Sequence, residues 1–103
     1  MKVRLSVRAQ QDLIEIYATD IRLFGPVQAD RYQDGLEAAF DFIADYPLAS
    51  RERPGAVHAA RVHPYKAHVI VYAARPEGVL VIRVRHGHED WADDPAGPED
   101  FHD

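Results

Sequence analysis

Three features of this 103-residue sequence predict an α+β fold, with a helical hairpin packed on one face of a small, mostly antiparallel sheet. Apolar residues recur at helical spacing from Ala9 to Ile43. The period switches to two after residue 60, in segments rich in valine and isoleucine. Between the two helical stretches lies only "FGP" (24–26), a connection so tight that the helices must fold back on each other. The predicted order is strand, helix, helix, strand, strand, strand, and a helix pair on one sheet face buries every apolar stripe.

Residues 2–6, "KVRLS", suit a short strand. Ser6 suits a helix N-cap, because its hydroxyl accepts from a backbone N–H that has no partner within the helix. The first helix then shows Ala9, Leu13, Ile16, Tyr17, Ile21 and Phe24 on one face, with Arg8, Gln11, Asp12, Glu15 and Asp20 elsewhere. Gly25 can take the left-handed conformation that ends a helix, and Pro26 fits the first turn of the next. The second helix presents Ala29, Tyr32, Leu36, Ala39, Phe40 and Ile43. It stops by Tyr46, because Pro47 disfavours helical geometry in the residue before it. Residues 47–60 read as a loop. Strands follow at 61–65, 67–75 and 78–86, the last two joined by a turn through "RPEG". On the last strand, alternation puts Leu80, Ile82, Val84 and His86 on one face, expected under the helices. Val79, Val81, Arg83 and Arg85 fall on the other, expected to be open and basic, as do the sets Arg61/His63 and His68/Ile70/Tyr72. Lys66 falls at a neighbouring turn. Residues 92–103, an acidic tail, are expected to be disordered.

Composition narrows the function. The length fits one domain, and 47% hydrophobic with 28% charged residues is an ordinary globular balance. The absence of cysteine excludes disulfides and thiolate metal sites. No signal-peptide pattern and no membrane-length apolar run is visible. The net charge of −5 conceals segregation, since residues 51–88 hold seven Lys/Arg against two acids, and residues 89–103 hold seven acids and no Lys/Arg. The middle block is therefore either a solvated sheet face or a basic surface for an anionic partner.

The densest chemistry lies in "VIRVRHGHEDW" (81–91). His86-x-His88 followed by Glu89 and Asp90 offers metal-ligand types, but without an H-E-x-x-H or cysteine pattern it does not make a metal site. The only serines, Ser6 and Ser50, lack the setting of a catalytic nucleophile, and no phosphate-binding glycine loop exists. RNA cleavage needs a base, a cation for the developing phosphorane charge and an acid. Arg61, Lys66, Arg83, Arg85, His86 and His88 are candidates for those roles, with Lys66, Arg83, Arg85, His86 and His88 the set for an endonuclease. Alternatively, arginines on an exposed strand face only keep that face soluble.

The stretch from "LSVRAQQDLIEIYATDIRLFGPVQADRYQDGLEAAFDFIADYPLASRERPG" to "HVIVYAARPEGVLVIRVRHGHEDW" resembles the ParE toxins of the RelE/ParE superfamily, the toxic halves of bacterial type II toxin–antitoxin pairs. Three pieces carry the resemblance: "LS..A..DL..I", "FG...AD.Y...L..AF..IA..P" and "V.I.RV.HG..DW". Each is weak alone, but their order and spacing together are specific. The resemblance implies one toxin domain over residues 1–91, and a fold that agrees with the one read from periodicity. It implies a toxin that inhibits DNA gyrase by binding, with no catalytic residue of its own and neither cofactor nor metal. RelE members cleave mRNA on the ribosome with the same scaffold, so a RelE-type endonuclease is the alternative, and a degenerate, non-toxic complex-forming domain a further one. The ParE reading implies a cytoplasmic protein, a ParD-like antitoxin as partner, no membrane contact and no direct DNA binding by the toxin alone. Many ParE-like sequences carry arginine after "HG", where this chain has His88. Target contacts are expected at Arg61, Arg83, Arg85, His88 and Trp91. The antitoxin is expected to fold over the basic face. Its anchors would meet Val79 and Val81 beside Arg83, or a groove at Tyr17, Tyr32 and Phe40.

Overall fold

The computed structural model describes residues 2–52 and 60–87. The chain runs β1 (Lys2–Leu5), α1 (Val7–Phe24), α2 (Pro26–Asp45), β2 (Arg51–Glu52), β3 (Arg61–Tyr65), β4 (His68–Arg75) and β5 (Gly78–His86). The sheet order is β1-β5-β4-β3-β2. Among the described strands only the β1–β5 pairing is parallel. The two-residue β2 falls within the stretch expected to be loop, too short to leave a periodic signal.

The helix boundaries follow from local chemistry. Ser6 caps α1: its hydroxyl accepts from the Ala9 N–H at 2.9 Å. Gly25, at φ 85° and ψ 168°, has the positive φ expected of it, although its ψ lies outside the left-handed helical region. Pro26 opens α2, and the Tyr46 N–H bonds the Phe42 carbonyl as the last turn closes. The hairpin is tied by Gln33 Nε2 donating to the Leu13 carbonyl (3.2 Å) and Tyr17 donating to Asp30 (2.5 Å). Gly35 lies mid-helix because a Cβ there would overlap the Tyr65 hydroxyl packed across it. At Gly78 (φ +151°) a Cβ would run into the Lys2 carbonyl, so glycine lets β1 approach β5.

The helix-facing core contains Ala9, Leu36, Ala39, Phe40, Ile43, Ile70, Tyr72, Val79, Val81 and Val84. This reverses the expected faces. Val79, Val81, Ile70 and Tyr72 lie under the helices. Leu80 and Ile82 join Val71, Ala73 and Ala60 in a second apolar cluster. The strands are apolar on both faces, so alternation sorted residues into sets without saying which set the helices cover. A register irregularity completes the difference. Val71 pairs with Arg83 while Tyr72 pairs with Val81, leaving Ile82 as an extra residue. Such a bulge moves everything beyond it to the opposite face. Val84 thus joins Val81 under the helices, and Arg83 and Arg85 part company with Val79 and Val81.

Beyond Leu5, β1 no longer covers β5, and α1 satisfies the open edge instead. The Ser6 N–H donates to the Val81 carbonyl (2.9 Å). The buried Ser6 hydroxyl donates to the Ile82 carbonyl (2.6 Å). The Val84 N–H donates to Asp12 Oδ2 (2.9 Å). These contacts fix α1 against the strand that carries the candidate site. No helix among the described residues is long and apolar enough to cross a membrane.

Candidate functional site

The same Asp12 carboxylate receives Arg83 in a two-pronged pair, from Nε at 2.8 Å and Nη2 at 3.0 Å. The side chains are 11% (Asp12) and 13% (Arg83) exposed. A planar guanidinium matched to a carboxylate in this way is a strong, directional contact. The open guanidinium expected of Arg83 is therefore corrected: it fastens β5 to α1. Three of the expected antitoxin anchors change as well. Val79, Val81 and Phe40 are 3%, 0% and 6% exposed, buried as core residues. Tyr17 is held by Asp30, and Tyr32 is half-buried and hydrogen-bonded to the sheet.

Arg83 borders a groove of about 480 Å³ between α1 and the ends of β4 and β5. One wall carries Glu15, Ile16, Asp20, Leu23 and Phe24; the other carries His68, Arg85 and His86. Leu23 and Phe24 are 60% and 63% exposed, contrary to the core role expected for Phe24. The hairpin tip extends beyond the sheet, so helical periodicity outlasts the surface it packs on. One Asp20 carboxylate oxygen is buried with no hydrogen-bond partner among the described residues.

An aromatic and polar cluster that the sequence reading did not assemble lies at the groove's sheet end. The Tyr32 hydroxyl is 2.7 Å from His68 Nδ1 and donates weakly to the Tyr65 carbonyl at 3.4 Å. The Tyr32 ring meets both Tyr65 and His68 edge-on, and His68 meets His86 edge-on at 5.3 Å between centroids. His68 and His86 are direct cross-strand partners, which explains the contact. His86 is exposed rather than tucked beneath the helices. Burial pushes the Tyr32 phenol up, so it meets His68 as a neutral hydroxyl. Lys66 does occupy a turn, with φ 50°, and its ammonium lies 5.5 Å from the Tyr65 ring centroid. A β-alternation argument finds the His68–His86 pair once register is known; nothing in the sequence alone links Tyr32 to them across 36 residues.

Arg61 is not part of this groove. It lies on β3, donating to the Ser50 carbonyl at 2.8 Å and facing Glu52 at 3.9 Å. His88, Trp91, Glu89, Asp90 and the tail 92–103 lie outside the described residues. No cluster of three or more metal-ligating side chains occurs among the described residues.

A second groove, of about 530 Å³, lies across the sheet at the C-terminal end of α2 and is bordered by Phe42, Ser50, Arg51, Val62, His63 and Pro64. His63 Nδ1 pairs with the Ser50 hydroxyl at 2.9 Å, and burial lowers its pKa.

The fold has solved counterparts. One matching structure, a chain of the chromosomal ParDE toxin–antitoxin system from P. aeruginosa, aligns with a TM-score of 0.72 at 17% identity, over 84% of this chain and 95% of that one. At that identity the match speaks for the fold. No curated protein matches the chain at a significant level. The family assignment rests on the sequence model for the ParE toxin of the type II toxin–antitoxin system parDE, which matches residues 3–91 from the first strand through Trp91. By that match the chain belongs to the ParE toxin family of type II toxin–antitoxin systems.

Proposed function

We propose that this toxin acts in the cytoplasm by binding and inhibiting DNA gyrase, without chemistry of its own, and that a ParD-like antitoxin neutralises it. The observation that carries the reading is the Asp12–Arg83 pair. An endonuclease needs cations free to meet a phosphate as charge develops on it. Here the best-placed arginine is committed to a carboxylate, and the facing wall adds Glu15 and Asp20, which repel phosphate. A groove with exposed Leu23 and Phe24 on one side and Arg85 on the other suits a protein surface better than a nucleic acid backbone. Purified toxin at micromolar concentration is expected to inhibit supercoiling by gyrase, and Phe24→Ser to weaken that inhibition. Full supercoiling activity in the presence of the wild-type toxin sinks the proposal.

One observation favours the endonuclease alternative. The Tyr32 hydroxyl and His68 imidazole form a hydrogen-bonded pair beside His86, and such a pair can move a proton. Primer extension on mRNA from induced cells separates the readings. Cleavage at codons in the ribosome, lost in His68→Ala or His86→Ala, would replace gyrase inhibition with RNA cleavage. Unimpaired growth on expression without a partner would instead indicate the non-toxic domain.

A further inference from the structure

We propose that the outer face of α1 is a contact for a second copy of this chain, with the two α1 helices packed antiparallel. Val7, Ile14 and Ile21 are 55%, 68% and 39% exposed, turned away from the core that Ala9 and Leu13 join. Ile21 thus leaves the core face to which its spacing assigned it. The three stand seven residues apart, so they line up along the helix with a drift of only about 20° per step. Exposed apolar residues scattered singly need no explanation. Three at this interval form a seam of the kind by which helices pair. Ala18, also exposed, lies four residues after Ile14 and three before Ile21, beside both. Its small side chain lets a second helix approach closely. Val27, 66% exposed, adds apolar surface at the hairpin tip.

Charge selects a second copy and fixes its register. Glu15 and Arg22 each follow a seam residue by one position, so both flank the seam on the same side, and both are exposed. In an antiparallel pair related by a twofold axis, each flank meets the same flank of the other copy. An axis through Ile14 would set Glu15 against Glu15 of the second copy, and like charges repel. An axis through Ala18 packs Ile14 against Ile21 of the second copy. It also brings Glu15 to Arg22 of that copy, twice by symmetry. The seam and its charges are therefore complementary to themselves when reversed. In a parallel pair in register, each charge would face its own counterpart. The 18 residues of α1 span about 27 Å. A single helix-on-helix contact of that length buries less than about 1,200 Å² in total, the size of transient complexes. The expected dimer therefore dissociates at concentrations on the order of tens of micromolar.

The test is sedimentation equilibrium of the purified full-length toxin from about 1 to 100 μM, a range that brackets the dissociation expected of so small a contact. The wild type should dimerise within it. Ile14→Ser should weaken the dimer about tenfold or more, as loss of a central apolar anchor does. Glu15→Arg should weaken it too, and Glu15→Arg/Arg22→Glu should return it to within about twofold of wild type, since the swap restores the pairing. These side chains are exposed, so each variant should keep the wild-type urea midpoint. The chain has no cysteine, so single cysteines report the register. Under mild oxidation Ala18→Cys should give a disulfide-linked dimer, because the two copies of residue 18 face each other at bridging distance across the axis. Ile14→Cys should not. A wild-type toxin that stays monomeric at the highest concentration refutes the proposal. A dimer that Ile14→Ser leaves intact uses another surface and also refutes it. Crosslinking through Ile14→Cys in place of Ala18→Cys overturns the register and the charge argument behind it. If the toxin is monomeric and Ile14→Ser instead weakens its inhibition of gyrase, the seam belongs to the target and the assignment falls.

Discussion

Replacing Asp12 with alanine removes three contacts at once: two from the Arg83 guanidinium and one from the Val84 N–H. The partners are not returned to water, since the Arg83 side chain is only 13% exposed. Breaking such a pair from one side costs about 3–5 kcal/mol, because the remaining charge stays desolvated. The Val84 N–H lies on the strand edge that β1 no longer covers, and leaving it unbonded adds to the cost. We take about 4 kcal/mol as the expectation for Asp12→Ala, a large part of the roughly 5–15 kcal/mol that stabilises a domain. Asp12→Asn should cost less, since its amide oxygen can still accept from Val84. The double variant Asp12→Leu/Arg83→Met should recover most of the loss, because apolar replacement of both partners removes the stranded charge. Urea unfolding with an unchanged m-value measures all three. A loss below about 1 kcal/mol for Asp12→Ala would show that the pair is no more than a surface contact, and would return Arg83 to the list of cations available to a ligand.

Three further outcomes can be measured with the same unfolding assay. Ser6→Ala removes both the α1 cap and the buried bond to the Ile82 carbonyl, and should cost about 2 kcal/mol or more; a loss of a few tenths would mean that water replaces the hydroxyl. Gly35→Ala should destabilise by about 1–2 kcal/mol despite alanine's better helix propensity, since the new methyl displaces Tyr65 from its edge-on contact with Tyr32; a gain in stability would contradict that packing. His63 has its folded pKa lowered by burial from the usual 6.5, so the unfolded chain takes up the proton first. Its contribution is therefore fully present above pH 6.5 and declines as pH falls through that value toward the lower folded one. The stability difference between wild type and His63→Gln should shift in that window, and a pH-independent difference would refute the assignment.

Helix boundaries were legible because they rest on local chemistry. Ser6, Gly25, Pro26 and Pro47 each act within a few residues of their position. The strands other than β2, and the turn at Arg75–Gly78, were legible for the same reason. Which side of β5 the helices cover was not, since Val79/Val81 and Leu80/Ile82 are equally apolar and both sets are buried. The bulge between Val81 and Arg83 has no marker in "VIRVR", yet it decides where both arginines point. Arg83's partner was unreadable for another reason: Asp12 is one of several polar residues on α1, and only the fold shows that it faces β5 across 71 positions.

That single misplaced phase changes what the basic block is for. Read as alternating strands, residues 51–88 assemble a continuous cationic face. In the fold their charges are divided. Arg83 is used to join helix to sheet, Arg61 to hold the chain around Ser50 beside β2, and Arg51 is, among the described residues, the formally charged one that lines the α2-side groove. A cationic face that neutralised RNA would need these groups on one surface, where several phosphates could displace counterions together. Divided between an ion pair, a backbone contact and a groove edge, they favour contacts in which charge orients a partner and buried hydrocarbon holds it. The salt dependence of complex formation is the measurable consequence. A binder built this way should lose affinity only modestly between low and physiological salt, whereas an RNA-binding face should lose it steeply.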